Sequence, residues 1–442
     1  MGCRLLGHHV LRNNSHFLFT KYSHFQLLNL CKYKSRLHSV CEWDTCKIHF
    51  MGSGCHYCSS KLVHSHKHCA LLPRRIVSKH AFATFYPLQV SKHLIKRSSS
   101  SVVKISSSLL LHQQFLDSLP DGIQMAFAYG SGVFQQEGHA DITKNMLDFV
   151  IVVDDVESWH RKNLALNWKH YSALKLLGSK VIANIQEKYG AGIYFNTLVK
   201  FKDRLLKYGV ISTRCLITDL LDWNSLYVSG RLHKPVKLIV QPDSKSVMSA
   251  MQMNLQSAVH AALLQLPETF SEEALYITIA GLSYGGDFRM TFGEDHNKVV
   301  NMVRPNIEHF RQLYEKILDS TEHLYWHRGL GRLEQPQSHV ARFHHLQLLP
   351  KTVLLSLQGQ HSQAYRNPDL EEVLRFYAHD THCDEAVARC IRKTVRKSSW
   401  SQSLKTILSA GIRKSLVYSA KKMGKMVQGK QKPKESINYR QQ

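Results

Sequence analysis

Met125–Asp155 reads MAFAYGSGVFQQEGHADITKNMLDFVIVVDD, and its alternation of apolar and polar runs decides the fold. An apolar run ends in Gly130, Ser131 and Gly132, a polar loop follows, and a second apolar run opens with Asp148. The pattern predicts strand, glycine turn, loop, and a strand that carries a carboxylate.

Each part has a chemical use. Gly130 and Gly132 permit positive φ and close backbone approach, because neither has a Cβ. Successive N–H groups at such a turn form an anion-binding nest, to which Ser131 adds a hydroxyl donor. Asp148 is a hard oxygen ligand of the kind Mg²⁺ prefers, another divalent metal being the alternative. Together these residues suit a triphosphate held against a metal ion.

The arrangement resembles the polymerase-beta-like nucleotidyltransferases, whose signature couples a Gly-Ser turn to a strand bearing two acids. Asp148, Phe149 and Val150 keep the first acid and place valine at the position of the second. Asp154 shares a strand face with Asp148 but lies roughly 20 Å away at about 3.3 Å per residue, too far for one metal. Either Asp141, Asp203, Asp219 or Asp222 completes the site, or the site has fewer carboxylates.

Further stretches narrow the resemblance. YGSGVF at 129–134, LDFVIVVDD at 147–155, NWKHYS at 167–172, YGAGIYFN at 189–196, KYGVIS at 207–212, DLLDWNSLYVSGRLHKPVK at 219–237 and AGLSYGGDFRM at 280–290 occur in that order. Over residues 112–420 the chain resembles the mitochondrial phosphatidate cytidylyltransferase family. The resemblance implies an enzyme that joins CTP to phosphatidic acid, giving CDP-diacylglycerol and pyrophosphate, on the route to cardiolipin. It places that enzyme peripherally on the matrix side of the mitochondrial inner membrane. Val150 motivates the alternative, a non-catalytic nucleotidyltransferase-like assembly factor for mitochondrial membrane translocases.

Charge distribution is consistent with a soluble catalytic body carrying basic ends. The net charge of +25 divides into +14 over residues 1–116, −3 over 117–385 and +14 over 386–442. A nearly neutral centre argues against nucleic acid as a partner, which would call for a basic face on the body. No apolar run reaches the 18 or more residues of a spanning helix. Residues 1–110 are basic, Ser-rich and poor in acids, the composition of a targeting or unstructured extension. They include Cys55, Cys58, His64, His66, His68 and Cys69, a Cys/His cluster in which a zinc site is one reading.

The expected fold class is α/β (α+β): a nucleotidyltransferase sheet over 111–242, a helical or winged-helix domain over 243–340, and a C-terminal region over 341–442. Gly192–Ser212 predicts a hairpin turning at Lys202 and Asp203. Its second strand opens with Lys207, a point charge suited to the triphosphate, with Asn196 as a polar contact in the same cleft. Arg231, Lys234 and Lys237 form a local basic cluster suited to a lipid phosphate or to pyrophosphate, a solvated basic edge being the alternative. In the Gly281–Met290 stretch, taken as a turn leading into an extended DFRMTF, Arg289 is a further phosphate contact. Asp287 would orient it, bind metal, or form an internal pair with it. Trp400, Leu404, Ile407, Leu408, Ile412, Leu416 and Val417 recur at helical spacing among lysines and arginines. They predict a basic amphipathic helix over about 398–424, of the kind that lies in the headgroup layer of anionic membranes.

Overall fold

The computed structural model describes residues 109–137, 145–292, 297–361 and 369–410. The Cys/His cluster, nearly all of the N-terminal extension, Asp141 and the amphipathic segment beyond Ala410 lie outside the described residues.

The two runs of the opening stretch form β1 (Ile123–Tyr129) and β2 (Leu147–Val153), paired antiparallel. The predicted hairpin is β3 (Ile193–Phe201) and β4 (Arg204–Ser212), and a short β5 (Lys237–Val240) follows. The sheet order is β3-β4-β2-β1-β5. Only the β2–β4 pair is parallel, so the sheet is mixed. β1 and β2 are covered on both faces, which is why they read as nearly continuous apolar runs. Ala126, Ala128, Phe149 and Ile151 pack with Phe115 of the helix 109–117 and with Trp159. Met125, Phe127, Val150 and Val152 pack with Leu216, Leu220, Val247 and Met251.

The helices obey local rules. Val156–Leu166 starts at Asp155, whose carboxylate accepts the Ser158 N–H at 3.0 Å, a cap worth about 1 kcal/mol. Lys245–Leu263 stops before Pro267, and Glu272–Gly281 is capped by the Ser271 hydroxyl, which accepts the Ala274 N–H. Pro305 lacks an N–H. The helical run accordingly breaks into Lys298–Val303, a tight turn at Arg304–Asn306, and Ile307–Ser320. The expected extended DFRMTF segment is instead a short helix, Phe288–Phe292. A second sheet joins β6 (Thr269–Ser271), β7 (Tyr325–His327) and β8 (Arg332–Glu334) in the order β6-β8-β7.

The helix Cys383–Ala410 packs on β3; its first half buries Ala386, Val387, Cys390, Ile391 and Val395, and from Ser398 onward polar residues take the inward side. Gln402 accepts the Ala191 N–H at 3.0 Å and donates to the Ile193 carbonyl at 3.2 Å. Lys405 donates to the carbonyls of Gln186 at 3.2 Å and Tyr189 at 2.6 Å, at the end of the helix Gly178–Lys188. Trp400, Leu404 and Ile407 are left 57%, 63% and 45% exposed. Among the described residues no helix is long and apolar enough to cross a membrane.

Candidate active site

The parallel β2–β4 register sets Asp148 beside Lys207, and the antiparallel β1–β2 register sets Tyr129 on its other side. The Lys207 ammonium lies 3.6 Å from the Asp148 carboxylate, the two side chains being 15% and 22% exposed. It also sits 4.4 Å from the centroid of the Phe195 ring, so a cation–π contact helps to hold it.

The glycine turn closes over this pair. Gly130 has φ +79°, and a Cβ there would stand 3.7 Å from Asp148 Oδ2. Gly132 is a glycine for another reason: a Cβ would meet the Met146 carbonyl at 2.6 Å. The N–H groups of Val133 and Phe134 both donate to the Gly130 carbonyl. Asn145 braces the turn by donating to the Ser131 carbonyl at 3.1 Å.

A cationic wall stands beside this turn. The Arg231 guanidinium lies 3.9 Å from the Tyr227 ring and 5.2 Å from the Tyr129 ring, and donates to the Tyr227 carbonyl. Its Nε is buried without a hydrogen-bond partner among the described residues. Burial would raise the Tyr227 pKa, but Arg231, Arg289 and Lys207 outweigh it and hold the phenol below its ordinary value. Tyr129 is raised instead, by burial first. Lys234 donates to Ser283 Oγ at 2.8 Å and lies 5.0 Å from the Tyr284 ring, which also carries Lys298 at 5.4 Å. Burial, then Arg231 and Lys298, push the Lys234 pKa well down. Arg289 is gripped by Asp287, its Nε donating to both carboxylate oxygens at 3.0 Å. Buried charges are ordinarily paired. Neither Arg231 nor Lys234 has an ion-pairing carboxylate among the described residues, whereas Arg289 has Asp287.

The loop carrying Tyr227 and Arg231 is organised by Asp219, which is 4% exposed. One oxygen accepts from the Ser225 N–H and hydroxyl and the Leu226 N–H, the other from the Val228 N–H and the Ser229 N–H and hydroxyl. Asn254 ties the loop to the helix beneath, accepting from Trp223 at 2.8 Å, sharing a hydrogen bond with His233 at 3.0 Å, and donating to the Ser229 carbonyl. Gly230 lets this segment touch the next: a Cβ would stand 2.3 Å from that of Ser283.

Asp148, Lys207, Gly130, Ser131, Gly132, Arg231, Lys234 and Arg289 therefore lie in one region. Lys237 does not join them. It pairs with Ala128, whose side chain faces the opposite layer, and its charge is felt there by His112. Asn196 also belongs to that opposite face, beside Tyr208 and Tyr171. Of the acids offered to complete the site, Asp219 is saturated by donors, Asp203 is exposed at the hairpin turn, and Asp222 is half-buried, its pKa raised by burial against Lys351. Asp154 lies past the far end of β2, where it accepts from Thr213. Tyr129, Tyr227, Phe195 and Lys298 were not singled out from the sequence. Only Tyr227 carried a local signal, four residues before Arg231.

Residues 112–425 match the family model described as mitochondrial phosphatidate cytidylyltransferase. The chain belongs to that family. The zebrafish (Danio rerio) mitochondrial phosphatidate cytidylyltransferase is 48% identical over 331 residues, covering 74% of this chain and 98% of the relative. The bovine (Bos taurus) protein of the same name is 48% identical over 326 residues, covering 74% and 97%. The human (Homo sapiens) one is 49% identical over 308 residues, covering 70% and 68%. The match to the phosphatidate cytidylyltransferase family includes every residue of the region just described.

Proposed function

We propose that the chain is a phosphatidate cytidylyltransferase, converting CTP and phosphatidic acid into CDP-diacylglycerol and pyrophosphate. The observation that carries this reading is the Asp148–Lys207 pair under the Gly130 turn, beside Arg231 and Lys234, neither of which has an ion-pairing carboxylate among the described residues. The chemistry forms a bond between a phosphate oxygen of phosphatidic acid and the α-phosphorus of CTP, and breaks the bond from that phosphorus to the pyrophosphate oxygen. A phosphate monoester with a second pKa near 6 is largely dianionic at neutral pH, so the attacking oxygen needs no general base. What remains for the chain is positioning and charge neutralisation.

The Gly130–Gly132 turn and Lys207 would hold the triphosphate, and Arg231, Lys234 and Arg289 would hold the lipid phosphate or the departing pyrophosphate. Mg²⁺, or another divalent metal, fits the donor set, because one carboxylate plus substrate phosphates is a coordination that Mg²⁺ commonly accepts. Asp148 would hold it, and bound there it would neutralise charge on the phosphates. The first sheet is read as a polymerase-beta-like nucleotidyltransferase core over 111–242, and the helices with the second sheet as a winged-helix-like domain over 243–340.

The substrate lipid implies a surface to work on, and the helix Cys383–Ala410 supports a peripheral seat on an anionic membrane. From Ser398 onward its inward side is polar, with Gln402 and Lys405 buried, while Trp400, Leu404 and Ile407 face out. Trp400 stacks on Phe288 at 4.2 Å, one residue from Arg289. That contact would hold the lipid-facing helix against the phosphate-binding turn. The proposed location is the matrix side of the mitochondrial inner membrane, feeding cardiolipin synthesis.

The test is to incubate the full chain with labelled CTP, Mg²⁺ and phosphatidic acid in cardiolipin-containing vesicles and follow lipid-soluble label. Label in CDP-diacylglycerol that disappears with Asp148→Asn supports the enzyme. A folded, vesicle-bound protein that transfers no label would refute it in favour of a non-catalytic assembly factor, the reading that Val150 motivates.

A further inference from the structure

We propose that Glu322, His323 and His344 form a second metal site, for a divalent transition ion of the zinc type, distinct from the one proposed at Asp148. One donor atom from each residue lies within 4.8 Å of the other two, and His344 Nδ1 is 3.8 Å from the Glu322 carboxylate. Bond lengths near 2.1 Å put the ligands of a tetrahedral ion about 3.4 Å apart. The three need close only by about 1.4 Å at most, within reach of side-chain rotation.

The local chain supports this use. Glu322 and His323 follow the end of the helix Ile307–Ser320, while His344 is on the helix His339–Gln347. His323 has φ +62°, a left-handed conformation uncommon for a residue with a side chain. Such a conformation persists only where its surroundings impose it, and it concentrates at ligand clamps. Here it presents the imidazole to His344, the ring centroids 5.2 Å apart and nearly perpendicular. Behind them His345 and His260 approach Nδ1 to Nδ1 at 3.1 Å, and the buried Nε2 of His345 has no hydrogen-bond partner among the described residues.

Two imidazoles and one carboxylate are the protein ligands that zinc takes when a fourth position stays open. Glu322 is exposed and both histidines are partly so, which provides the open side and an entry path. Mg²⁺ and Ca²⁺ favour all-oxygen sets, so the two proposed sites would sort different ions. An ion here would tie the end of one helix to the last turn of another, and would stabilise the fold by binding only its folded form.

The test uses the full chain, stripped with chelator and then titrated with Co²⁺ and Zn²⁺, as wild type, Glu322→Gln and His323→Gln/His344→Gln. Thiolate-to-cobalt charge-transfer bands would report the cysteine-rich extension, whereas a nitrogen–oxygen site gives d–d bands alone. The expected result is a d–d signal and one Zn²⁺ equivalent in wild type, lost in the double variant. Glu322→Gln should weaken Zn²⁺ binding about tenfold or more, since even outer-shell partners are worth that much. Zn²⁺ should also raise the melting temperature of wild type and not of the double variant. Equal affinity and stoichiometry in wild type and Glu322→Gln, or a cobalt spectrum of thiolate bands alone, overturns the proposal. Glu322→Gln decides the matter even if the double variant does not fold, because its side chain is exposed.

Discussion

Asp219→Asn is expected to destabilise the protein strongly. Each of its oxygens accepts two backbone N–H groups and one hydroxyl. The asparagine amide keeps one acceptor, so whichever way it turns, an NH₂ group faces three donors. The hydroxyl can rotate and accept; the two N–H groups cannot. A buried donor left unsatisfied costs about 1–3 kcal/mol, so the change should cost about 2–6 kcal/mol. At about 2–4 °C per kcal/mol the melting temperature falls by several degrees or more. Urea denaturation of wild type and Asp219→Asn gives the difference, with the exposed Asp203→Asn expected to stay within about 0.5 kcal/mol. Transfer should fall as well, because the same loop holds Tyr227 and Arg231. A variant that loses less than about 1 kcal/mol yet transfers nothing would refute this reasoning and return Asp219 to the metal.

Asp148→Asn should lower kcat by at least about 10²–10³-fold, the scale of losing one preorganised electrostatic group, with the melting temperature little changed. Retained turnover would reject Asp148 as the ligand. Arg231→Lys should raise the KM for substrate about tenfold or more, because an ammonium cannot stack flat on Tyr227 as a guanidinium does. Steady-state kinetics at varied CTP and lipid would check this. Burial lowers the Lys405 pKa from 10.5 to about 7. Between those values the unfolded chain binds more protons than the folded one, so stability should rise with pH over that window, the cost of burying the charge being complete below it. Lys405→Met should flatten that rise in urea titrations across the window. Serine at Leu404 and Ile407 together should reduce sedimentation with anionic vesicles while leaving the fold intact, since both are exposed.

Several features were legible in the sequence because neighbouring residues specify them. The strand, glycine turn and second strand follow from apolar runs and from the one residue type that tolerates φ +79° at Gly130. The hairpin at Lys202 and Asp203, the Ser271 cap and the break at Pro305 are likewise matters of local backbone chemistry. Placing Asp148 near Lys207 required only that the hairpin lie beside the Asp148 strand.

Other features depended on which segments meet. Arg231, Lys234 and Lys237 look like one cluster along the chain. The pairing of β5 with β1 turns Lys237 to the opposite face of the sheet and leaves Arg231 between Tyr227 and Tyr129. Asp219 looks like a possible ligand until the loop returns six donors to it. The apolar stripe at Trp400, Leu404 and Ile407 was visible as a period, but its exposure was decided by Gln402 and Lys405 taking the inward side against β3 and the neighbouring helix end. His323 and His344 gave no joint signal, because their approach is set by how two helices pack. Sequence by itself determined most of the elements and the strand that carries Asp148, since backbone preference and periodicity act over a few residues. Tertiary structure alone decided which charges face one another, since a sheet's register and a helix's rotation are set by partners far away in the chain.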